Sequence, residues 1–337
     1  MSVAPAAKDE VRLVLAGTGL IGSRHLAHIV ADPALMLAAV IDPAPADAVP
    51  APVFPSLDDC DVAADGIVIA TPTASHAPLA IAAAERGWHA LVEKPVASTL
   101  AEADAMIAAH SDAGTHLLVG HHRRHHPAVA RLHEIVASGA IGAPVAASLM
   151  WLMRKPDDYF APEWRQGIDG APIKQNLIHD IDMLRWLMGE VTQVTGLASN
   201  ARRGAARPES GGAVLRFASG ATATIAYADT TPTPWGFEAA TGESPHIPHS
   251  AQDYLHLAGT GGALAFPSLT LWTGAAHWNE AHDVTRETVP SGVPVARQLG
   301  HFAEVIAGDA LPLVTGEEGR ANLAVILEIE RTATLQR

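Results

Sequence analysis

The first 120 residues alternate short apolar runs with segments of helical spacing. The runs are rich in Val, Ile and Leu and show no polar alternation; they cover residues 11–16, 37–41, 66–70, 88–93 and 116–120. Such continuous runs are typical of parallel strands that are buried on both faces. Helical spacing fills the intervals 20–32, 75–87 and 99–114, and the last two intervals end in Arg-Gly and Ala-Gly stops. The alternation predicts a doubly wound parallel sheet.

After about residue 123 the pattern changes. Helices are predicted over 127–138, 178–189 and about 319–335, and β-rich segments lie at 191–199, 213–218, 221–227, 253–258, 263–266 and 269–272. Runs of strands that close on a helix indicate a mostly antiparallel, open sheet with helices on one face. The length of 337 residues also favours two domains. We therefore predict an α/β protein with one domain at 1–123 and a second α/β domain at 124–337.

Composition narrows the class of protein. Hydrophobic residues make up 48% of the chain and charged residues 17%, which is typical of a globular protein and argues against global disorder. The formal net charge of −14 offers no electrostatic attraction to nucleic acid or to an anionic membrane. The single cysteine, Cys60, excludes an internal disulfide, and the sequence shows neither a signal peptide nor an apolar run long enough to span a bilayer. We expect a soluble cytoplasmic protein.

A glycine-rich turn follows the first predicted strand. In VRLVLAGTGLIG, Gly17, Gly19 and Gly22 form a G-x-G-x-x-G pattern that joins the strand to a helix, which begins with Leu20 and Ile21. Gly17 would allow the tight turn, Gly19 would let the backbone approach a pyrophosphate, and Gly22 would let helix and strand pack closely. Free N–H groups at the helix N-terminus would bind the phosphates. These five residues are therefore candidates for binding a dinucleotide.

Asp42 ends the second predicted strand, twenty residues after Gly22, where a carboxylate would accept hydrogen bonds from an adenosine ribose. No Lys or Arg follows within DPAPADA to neutralise a 2′-phosphate. This favours NAD over NADP, with NADP as the alternative. Asp-Pro also commonly starts a turn, so a solvated strand-end turn is the competing interpretation.

The stretch LVEKP, residues 91–95, has charged groups where a buried strand ends. Strands of such a sheet direct their C-terminal ends to the ligand crevice, so Lys94 is predicted at the cofactor edge. Its amine could hydrogen-bond a substrate hydroxyl and favour loss of the proton as hydride leaves, while Glu93 holds the lysine and Pro95 stiffens the turn. A surface ion pair at a strand end is the structural alternative.

Two stretches resemble the glucose–fructose oxidoreductase, inositol 2-dehydrogenase and MocA (Gfo/Idh/MocA) family: AGTGLIGSRH and ATPTASHAPLAIAAAERGWHALVEKPVA. The likeness covers the first domain closely and continues more loosely through GHHRRHHP and LIHDIDMLRWLMG. It implies a Rossmann domain, then an α/β domain with a large open sheet for substrate binding and oligomerisation. It also implies hydride transfer between NAD(P) and a sugar, cyclitol or related secondary alcohol. Thr71, Pro72, His76 and Glu93 would line the cofactor, and Lys94 would contact both cofactor and substrate.

The family's second catalytic element lies on a helix, where an Asp precedes a His by four residues so that both share one face. KQNLIHDID supplies His179, but the residue four before it is Gln175, which cannot carry a charge. Gln175 could orient the imidazole without stabilising an imidazolium, and Asn176 could reshape the pocket. Gln175, Asn176 and His179 are therefore candidates for substrate binding. Either Lys94 and His179 share the proton transfer, or His179 mainly positions a hydroxyl; a helix histidine without a catalytic role is the alternative.

The segment GHHRRHHP, residues 120–127, contains four histidines and two arginines. Neighbouring residues point in different directions, and no Cys or H-E-x-x-H pattern accompanies them, so we predict no metal site. The resemblance implies that this segment lies at the domain junction, with Arg124 near the cofactor or substrate. Trp164 and Arg165 resemble a W-R pair that faces the cofactor in the family, and a surface Trp–Arg stack is the alternative.

The leading hypothesis is an NAD(P)-dependent dehydrogenase of a sugar, polyol, cyclitol or cyclic (dihydro)diol, in which hydride leaves a carbinol carbon held between Lys94 and His179. Because the motif aspartate is absent, a nucleotide-binding sensor or regulatory protein without turnover is the alternative from another class. A zinc hydrolase that uses the histidine cluster is a third.

The second domain also contains a weakly charged sheet face. Between residues 213 and 227 the one side chain of Lys, Arg, Asp or Glu type is Arg216. Since monomers rarely expose broad apolar patches, this face is a candidate interface, and the resemblance implies a homodimer or homotetramer. Alternatively, the long Pro- and Gly-rich stretch 229–252 folds back and covers the face within one chain.

Overall fold

The computed structural model describes residues 10–45 and 48–336. These residues form two compact units. The first contains the described residues up to His125 together with Val293–Leu323, and the second contains His126–Gly292 together with the described residues from Ala324 onward. Residues 1–9, where we predicted no signal peptide, lie outside the described residues. Ala46 and Asp47 of DPAPADA also lie outside them. No helix among the described residues combines the length and the apolarity needed to cross a bilayer.

The first unit contains a parallel sheet whose strands alternate with helices. In chain order its elements are β1 (Val11–Ala16), α1 (Leu20–Ala31), β2 (Leu35–Ile41), β3 (Val53–Phe54), β4 (Gly66–Ile69), α2 (His76–Glu85), β5 (His89–Val92), α3 (Leu100–Ala113) and β6 (Leu117–Val119). The strands lie in the order β3-β2-β1-β4-β5-β6, and every pair is parallel. The predicted doubly wound sheet is therefore confirmed, although the pattern did not reveal the short strand β3.

Burial on both faces explains why the strands of this sheet are continuously apolar. Leu13, Val14 and Leu15 are consecutive in β1, and each is 0% exposed. Successive side chains of a strand point to opposite faces, so both faces of the sheet are covered by protein. Helix α3 shows why the helices begin and end where they do: a capping box joins Thr99 to Glu102, and the helix stops at Gly114 with φ of 68°.

The second unit is built on a nine-stranded sheet. Its elements up to residue 286 are α4 (Pro127–Ala137), β7 (Pro144–Leu152), α5 (Ile178–Met188), β8 (Val191–Ser199), β9 (Ser210–Phe217), β10 (Thr222–Ala228), α6 (Phe237–Thr241), β11 (Leu255–Gly259), β12 (Ala263–Phe266), β13 (Thr270–Thr273) and β14 (Asp283–Arg286). The chain then forms α7 (Pro294–Ile306), α8 (Gly316–Thr332) and β15 (Thr334–Gln336).

The strand order of this sheet is β14-β13-β12-β11-β7-β10-β9-β8-β15. Of the pairs in the described sheet, β7–β10 and β8–β15 are parallel, and the other six are antiparallel. The prediction of a large, open and mostly antiparallel sheet in the second half of the chain is therefore confirmed.

Helix α7 belongs to the first unit, although the sequence pattern assigns all of 124–337 to the second domain. Val295, Leu299, Phe302 and Val305 lie on one helical face, are at most 1% exposed, and join the core of the first sheet. The compact first unit therefore includes residues that follow the second sheet in the sequence. A boundary drawn along the chain cannot show such a return.

Alternation along the strands gives the second sheet one buried and one open face. Leu149, Leu215 and Ile225 are nearly fully buried, whereas Val214, which points the other way, is 48% exposed. The stretch 229–252 contains α6 and packs on the buried side, where Phe237 joins the same core. Within the described residues, the alternative in which this stretch covers the open face is therefore wrong.

Candidate active site

The glycines determine the shape of the turn between β1 and α1. Gly17 has φ of +89°, which L side chains rarely adopt, and a Cβ there would lie 2.6 Å from the carbonyl oxygen of Ala70. A Cβ on Gly22 would lie 2.1 Å from the carbonyl oxygen of Gly17, so a larger residue would push α1 away from the turn. Beside Gly19 the space is open, because a Cβ there would meet nothing within 4 Å.

The start of α1 is accessible at this turn. Gly19 is the N-cap residue and has no side chain to cap the helix, Leu20 is 80% exposed, and Ile21 is half-buried. The first N–H groups of a helix lack partners within the helix and favour anions. The first turn of α1 also contains no acidic residue that would repel an anion. The residues present therefore fit a pyrophosphate, and this turn could hold a dinucleotide.

Asp42 faces the glycine turn from the end of β2. Its Oδ2 accepts hydrogen bonds from the backbone N–H (2.8 Å) and the hydroxyl (2.6 Å) of Thr18, and its Oδ1 accepts one from the N–H of Ala44 (2.9 Å). Burial raises the pKa of the carboxyl, but these hydrogen bonds outweigh burial and the pKa lies below its ordinary value. Asp42 therefore forms the turn of the competing interpretation, and its charged oxygens retain capacity to accept ribose hydroxyls.

A buried pair, Glu93 and His25, lies next to Lys94. His25 of α1 is 0% exposed, and its Nε2 lies 2.8 Å from Oε1 of Glu93. The other carboxylate oxygen of Glu93 accepts a hydrogen bond from the backbone N–H of Lys94 (3.2 Å). The pair therefore connects α1 to the end of β5 and holds the backbone of the half-buried Lys94 in place.

The charge of Glu93 is maintained by its surroundings. Burial raises the pKa of this carboxyl, but the hydrogen bond from His25 and the attraction to His25, His122 and Lys94 lower the pKa to about 2. Glu93 is therefore a carboxylate at neutral pH, and it places a fixed negative charge beside the amine-bearing residue that the sequence singled out.

His76 connects two strand ends of the first sheet. Its Nε2 lies 2.9 Å from the carbonyl oxygen of Thr71, and its Nδ1 lies 3.0 Å from the carbonyl oxygen of Pro95. Burial has the largest influence on the pKa of this imidazole and lowers it. Thr71 and Pro72 thus lie in the turn after β4, and His76, the first residue of α2, links that turn to Pro95 after β5. Their direct contact with a cofactor stays a prediction.

The histidines of GHHRRHHP have separate surroundings. Nε2 of His121 lies 3.2 Å from the amide nitrogen of Asn322, and the ring of His125 lies 5.2 Å from that of His301. His126 accepts a hydrogen bond from Ala128 and so caps α4. Burial is the largest cause that lowers the pKa of His125, to about 3. Among the described residues, no group of three or more His, Cys, Asp or Glu is arranged to hold a metal ion.

Arg124 is buried and interacts with the start of α8. Its Nη2 donates to Glu318 (2.6 Å), and its Nη1 donates to the carbonyl oxygen of Leu313 (3.3 Å). These contacts connect the segment after β6 to α8 within the first unit. A role of Arg124 toward the cofactor or substrate stays a prediction.

The residues before His179 form a π-helical turn, Ile173–Leu177, that leads into α5. The rule that residues four apart share a face holds for an α-helix, and a π-helix changes this register. The amide of Gln175 donates to the carbonyl oxygen of Asp169 (2.7 Å). His179 is 5% exposed in the first turns of α5. Gln175 is thus hydrogen-bonded to the preceding loop, and its pairing with His179 stays a prediction.

Asn176 has a carboxylate partner that the sequence did not indicate. Its Nδ2 donates to Oε1 of Glu238 (3.1 Å), and Oε2 of Glu238 accepts a hydrogen bond from the indole N–H of Trp151 (3.0 Å). Glu238 lies in the first turn of α6, inside the long stretch 229–252, and Trp151 lies near the end of β7. Three distant segments therefore meet at one carboxylate in the second unit.

Trp164 and Arg165 form a stack. The guanidinium carbon of Arg165 lies 5.0 Å from the ring centroid of Trp164 and 4.2 Å from that of Tyr159. Arg165 also donates to the carbonyl oxygen of Tyr159 (2.9 Å), while Trp164 is 51% exposed. The structure therefore contains the Trp–Arg stack that was the alternative interpretation, and the cofactor role of the pair stays a prediction.

Sequence reasoning missed three residues of these networks: His25, Trp151 and Glu238. A signal for His25 existed, because it lies within AGTGLIGSRH, three residues after Gly22. For Glu238 the signal was the unusual length of 229–252, which indicated a functional loop without indicating a residue.

Two models of one protein family match the chain. The model described as an oxidoreductase family with an NAD-binding Rossmann fold matches residues 11–121. The model of the GFO/IDH/MocA C-terminal domain matches residues 129–265. Together they cover the parallel sheet and most of the second sheet.

Similar proteins of known name support this match. The chain is 28% identical over 278 residues to 1,5-anhydro-D-fructose reductase of Ensifer adhaerens, which covers 80% of this chain and 77% of that protein. It is 30% identical over 218 residues to inositol 2-dehydrogenase 4 of Saccharopolyspora erythraea, which covers 60% of each. The WlbA dehydrogenase of Bordetella pertussis, crystallised with NADH and UDP-GlcNAcA, has the same fold, with a TM-score of 0.79, 24% identity and coverage of 98% and 97% of the two chains.

The two matched models follow one another along the chain as the two sheets do. With the named relatives, they confirm the resemblance recognised in the sequence, the class of NAD(P)-dependent dehydrogenases and NAD as the cofactor. The chain belongs to the GFO/IDH/MocA family of NAD-binding oxidoreductases.

Proposed function

We propose that this protein transfers a hydride between NAD and a secondary alcohol of a sugar, cyclitol or cyclic (dihydro)diol. The observation that carries the proposal is the position of Lys94, the second residue after β5, where its backbone N–H donates to the buried carboxylate of Glu93. Strands β1 and β5 are parallel members of one sheet, so the glycine turn and Lys94 follow strand ends at the same edge.

NAD, when bound, supplies the hydride acceptor for the alcohol or, as NADH, the donor for the ketone. Nζ of Lys94 would donate a hydrogen bond to the alcohol oxygen and stabilise the negative charge that develops there. His179 would accept the hydroxyl proton in oxidation and return it in reduction. The alcohol thus loses a hydride from carbon and a proton from oxygen, and the sequence-predicted roles of the two residues balance the reaction.

The substrate class is supported by the similar proteins, which are named for a sugar-derived ketone and for inositol. We infer that the substrate is a neutral or modified polyol with hydroxyl groups on adjacent carbons. NADH absorbance in a panel of sugars, cyclitols and dihydrodiols, with NAD-saturated protein, tests this proposal. Turnover of at least one class member is the expected result, and NAD binding without turnover anywhere in the panel would favour the sensor alternative.

Assembly is a separate proposal that rests on the open face of the second sheet. Leu197 is 64% exposed and Val214 is 48% exposed on strands of this face, which the stretch 229–252 leaves uncovered. Paired copies would bury such a face by two-fold symmetry. We infer a homodimer, or a homotetramer built from dimers. Light scattering at micromolar concentration should give at least twice the chain mass of 35.1 kDa, and a mass equal to it would reject the interface.

A further inference from the structure

We propose that Glu238 fixes the orientation of Asn176 and so makes the side-chain oxygen of Asn176 an acceptor for a substrate hydroxyl. Glu238 is thus a positioning residue, because it acts through Asn176. This inference rests on the proposed function and adds a contact of the same site.

The hydrogen bonds of Glu238 determine which end of the Asn176 amide faces it. Carboxylate oxygens accept hydrogen bonds, so the NH₂ group of Asn176 points toward Oε1, 3.1 Å away. The second oxygen of Glu238 accepts the indole N–H of Trp151, which is 2% exposed. With both oxygens engaged, the carboxylate has a defined orientation and presents an acceptor to the NH₂ group of Asn176.

This orientation turns Oδ1 of Asn176 away from Glu238. Oδ1 is a buried acceptor without a hydrogen-bond partner among the described residues. Buried acceptors are nearly always paired, so one that is unpaired indicates a donor still to come. Asn176 lies three residues before His179, the sequence-predicted acid–base residue. A hydroxyl of a polyol has the matching donor, so we assign Oδ1 to a hydroxyl of the substrate.

Glu238 is held by the packing of its segment. Phe237, the preceding residue, is fully buried and stacks on Phe266 with ring centroids 6.1 Å apart. Gly236 lies so close to β7 that a Cβ there would be 2.4 Å from Sδ of Met153. The segment therefore places Glu238 at the end of β7 by apolar contacts that are independent of the Asn176 hydrogen bond.

The experiment uses the full chain and whichever panel polyol gives the highest kcat/KM. Glu238→Gln lets the Asn176 amide flip, and we expect the KM for that polyol to rise about tenfold, with a smaller change in kcat and an unchanged KM for NAD. Asn176→Asp alone places two carboxylates together and should raise the KM further. Combining the two substitutions reverses the polarity of the pair, because the amide now donates from α6, and should recover most of the loss.

Recovery of the KM in the double variant distinguishes a Glu238 that positions Asn176 from a Glu238 that only stabilises the fold. Glu280→Gln is the matched control, since this exposed carboxylate accepts the N–H of Ala276 and should leave the KM unchanged. Trp151→Phe removes the donor to Oε2 and should raise the KM less than Glu238→Gln does. An unchanged KM in Glu238→Gln, or a double variant no better than Asn176→Asp, would overturn the inference.

Its failure can be separated from failure of the proposed function. If the wild type oxidises no panel member, saturation-transfer NMR with myo-inositol in the presence of NADH becomes the readout. Weaker binding by folded Glu238→Gln than by the wild type would then support the inference without catalysis. Equal binding, or no binding by the wild type, would overturn it.

Discussion

In the first unit the candidate residues follow the ends of parallel strands: Gly17 after β1, Asp42 after β2 and Lys94 after β5. In the second unit Trp151, Asn176 and Glu238 come from a strand, a π-helical turn and a short helix. Parallel strands joined by helices direct their carboxyl ends to one edge, whereas an antiparallel sheet imposes no such rule. Strand order alone therefore locates the candidate residues of the first unit. The candidate residues of the second unit are located only by their individual side-chain contacts.

Lys94→Ala is the strongest test of whether a residue that follows a parallel strand of the first unit takes part in the reaction. We expect kcat to fall by about 10² to 10³, because the donor that stabilises the negative charge on the alcohol oxygen is lost, while the affinity for NAD stays nearly unchanged. Steady-state NADH absorbance and titration calorimetry measure the two effects. Arg320→Ala, which removes a surface partner of Asp104 in the same unit, is the control. A retained kcat would show that a strand-end position does not identify a functional lysine here.

The buried pair tests whether the first unit also depends on tertiary contacts. His25→Leu leaves the carboxylate of Glu93 buried without this partner, and we expect the free energy of unfolding to fall by about 3–5 kcal/mol. Adding Glu93→Met should restore much of it, since an apolar pair of similar volume leaves no buried charge without a partner. Urea unfolding measures both variants. A double variant that is less stable than His25→Leu would contradict this account.

Asp42→Ala sharpens the same comparison for the cofactor. We expect the Kd for NAD to rise about tenfold, because charged acceptors for the ribose hydroxyls are lost. The Kd for NADP should change less, since its 2′-phosphate gains nothing from a carboxylate. Titration calorimetry with both cofactors measures the difference. Equal losses for NAD and NADP, or no loss, would leave Asp42 as a strand-end turn alone.

Two buried histidines should make the stability of the first unit sensitive to acid. Burial lowers the pKa of His110 to about 4 and that of His125 to about 3, and both lie in the first unit. Because these values lie below the ordinary 6.5, the unfolded chain binds more protons between about pH 6.5 and pH 4. The free energy of unfolding should therefore fall as the pH falls through that window.

Replacing one of these histidines makes the smallest predicted change. His125→Gln should reduce the slope of the free energy of unfolding against pH by no more than about 1.4 kcal/mol per pH unit. Urea unfolding between pH 7 and pH 4.5 measures the slope, and His246→Gln at an exposed position of the second unit is the control. An identical slope in His125→Gln and the wild type would place the acid-sensitive groups elsewhere.

Much of the fold was predictable because it depends on local properties of the chain. Apolar runs without alternation predicted the parallel strands β1, β2, β4, β5 and β6, and the β-rich segments predicted six strands of the second sheet, β8 to β13. Helix α7 escaped prediction although its apolar face is regular, because it packs on a sheet whose strands all lie before residue 120. The short segments β3 and β14 carry too few residues for a pattern to emerge.

The sequence by itself determined the glycine turn, the strand that precedes Lys94 and the family, because backbone preference and hydrophobic period act between near neighbours. Only the tertiary structure decided that His25 meets Glu93, 68 residues away, and that Asn176 meets Glu238, 62 residues away. It also decided that Gln175 turns to the carbonyl oxygen of Asp169. The physical reason is that a hydrogen bond requires donor and acceptor within about 3 Å, and such distances between remote segments exist only once the whole unit has packed.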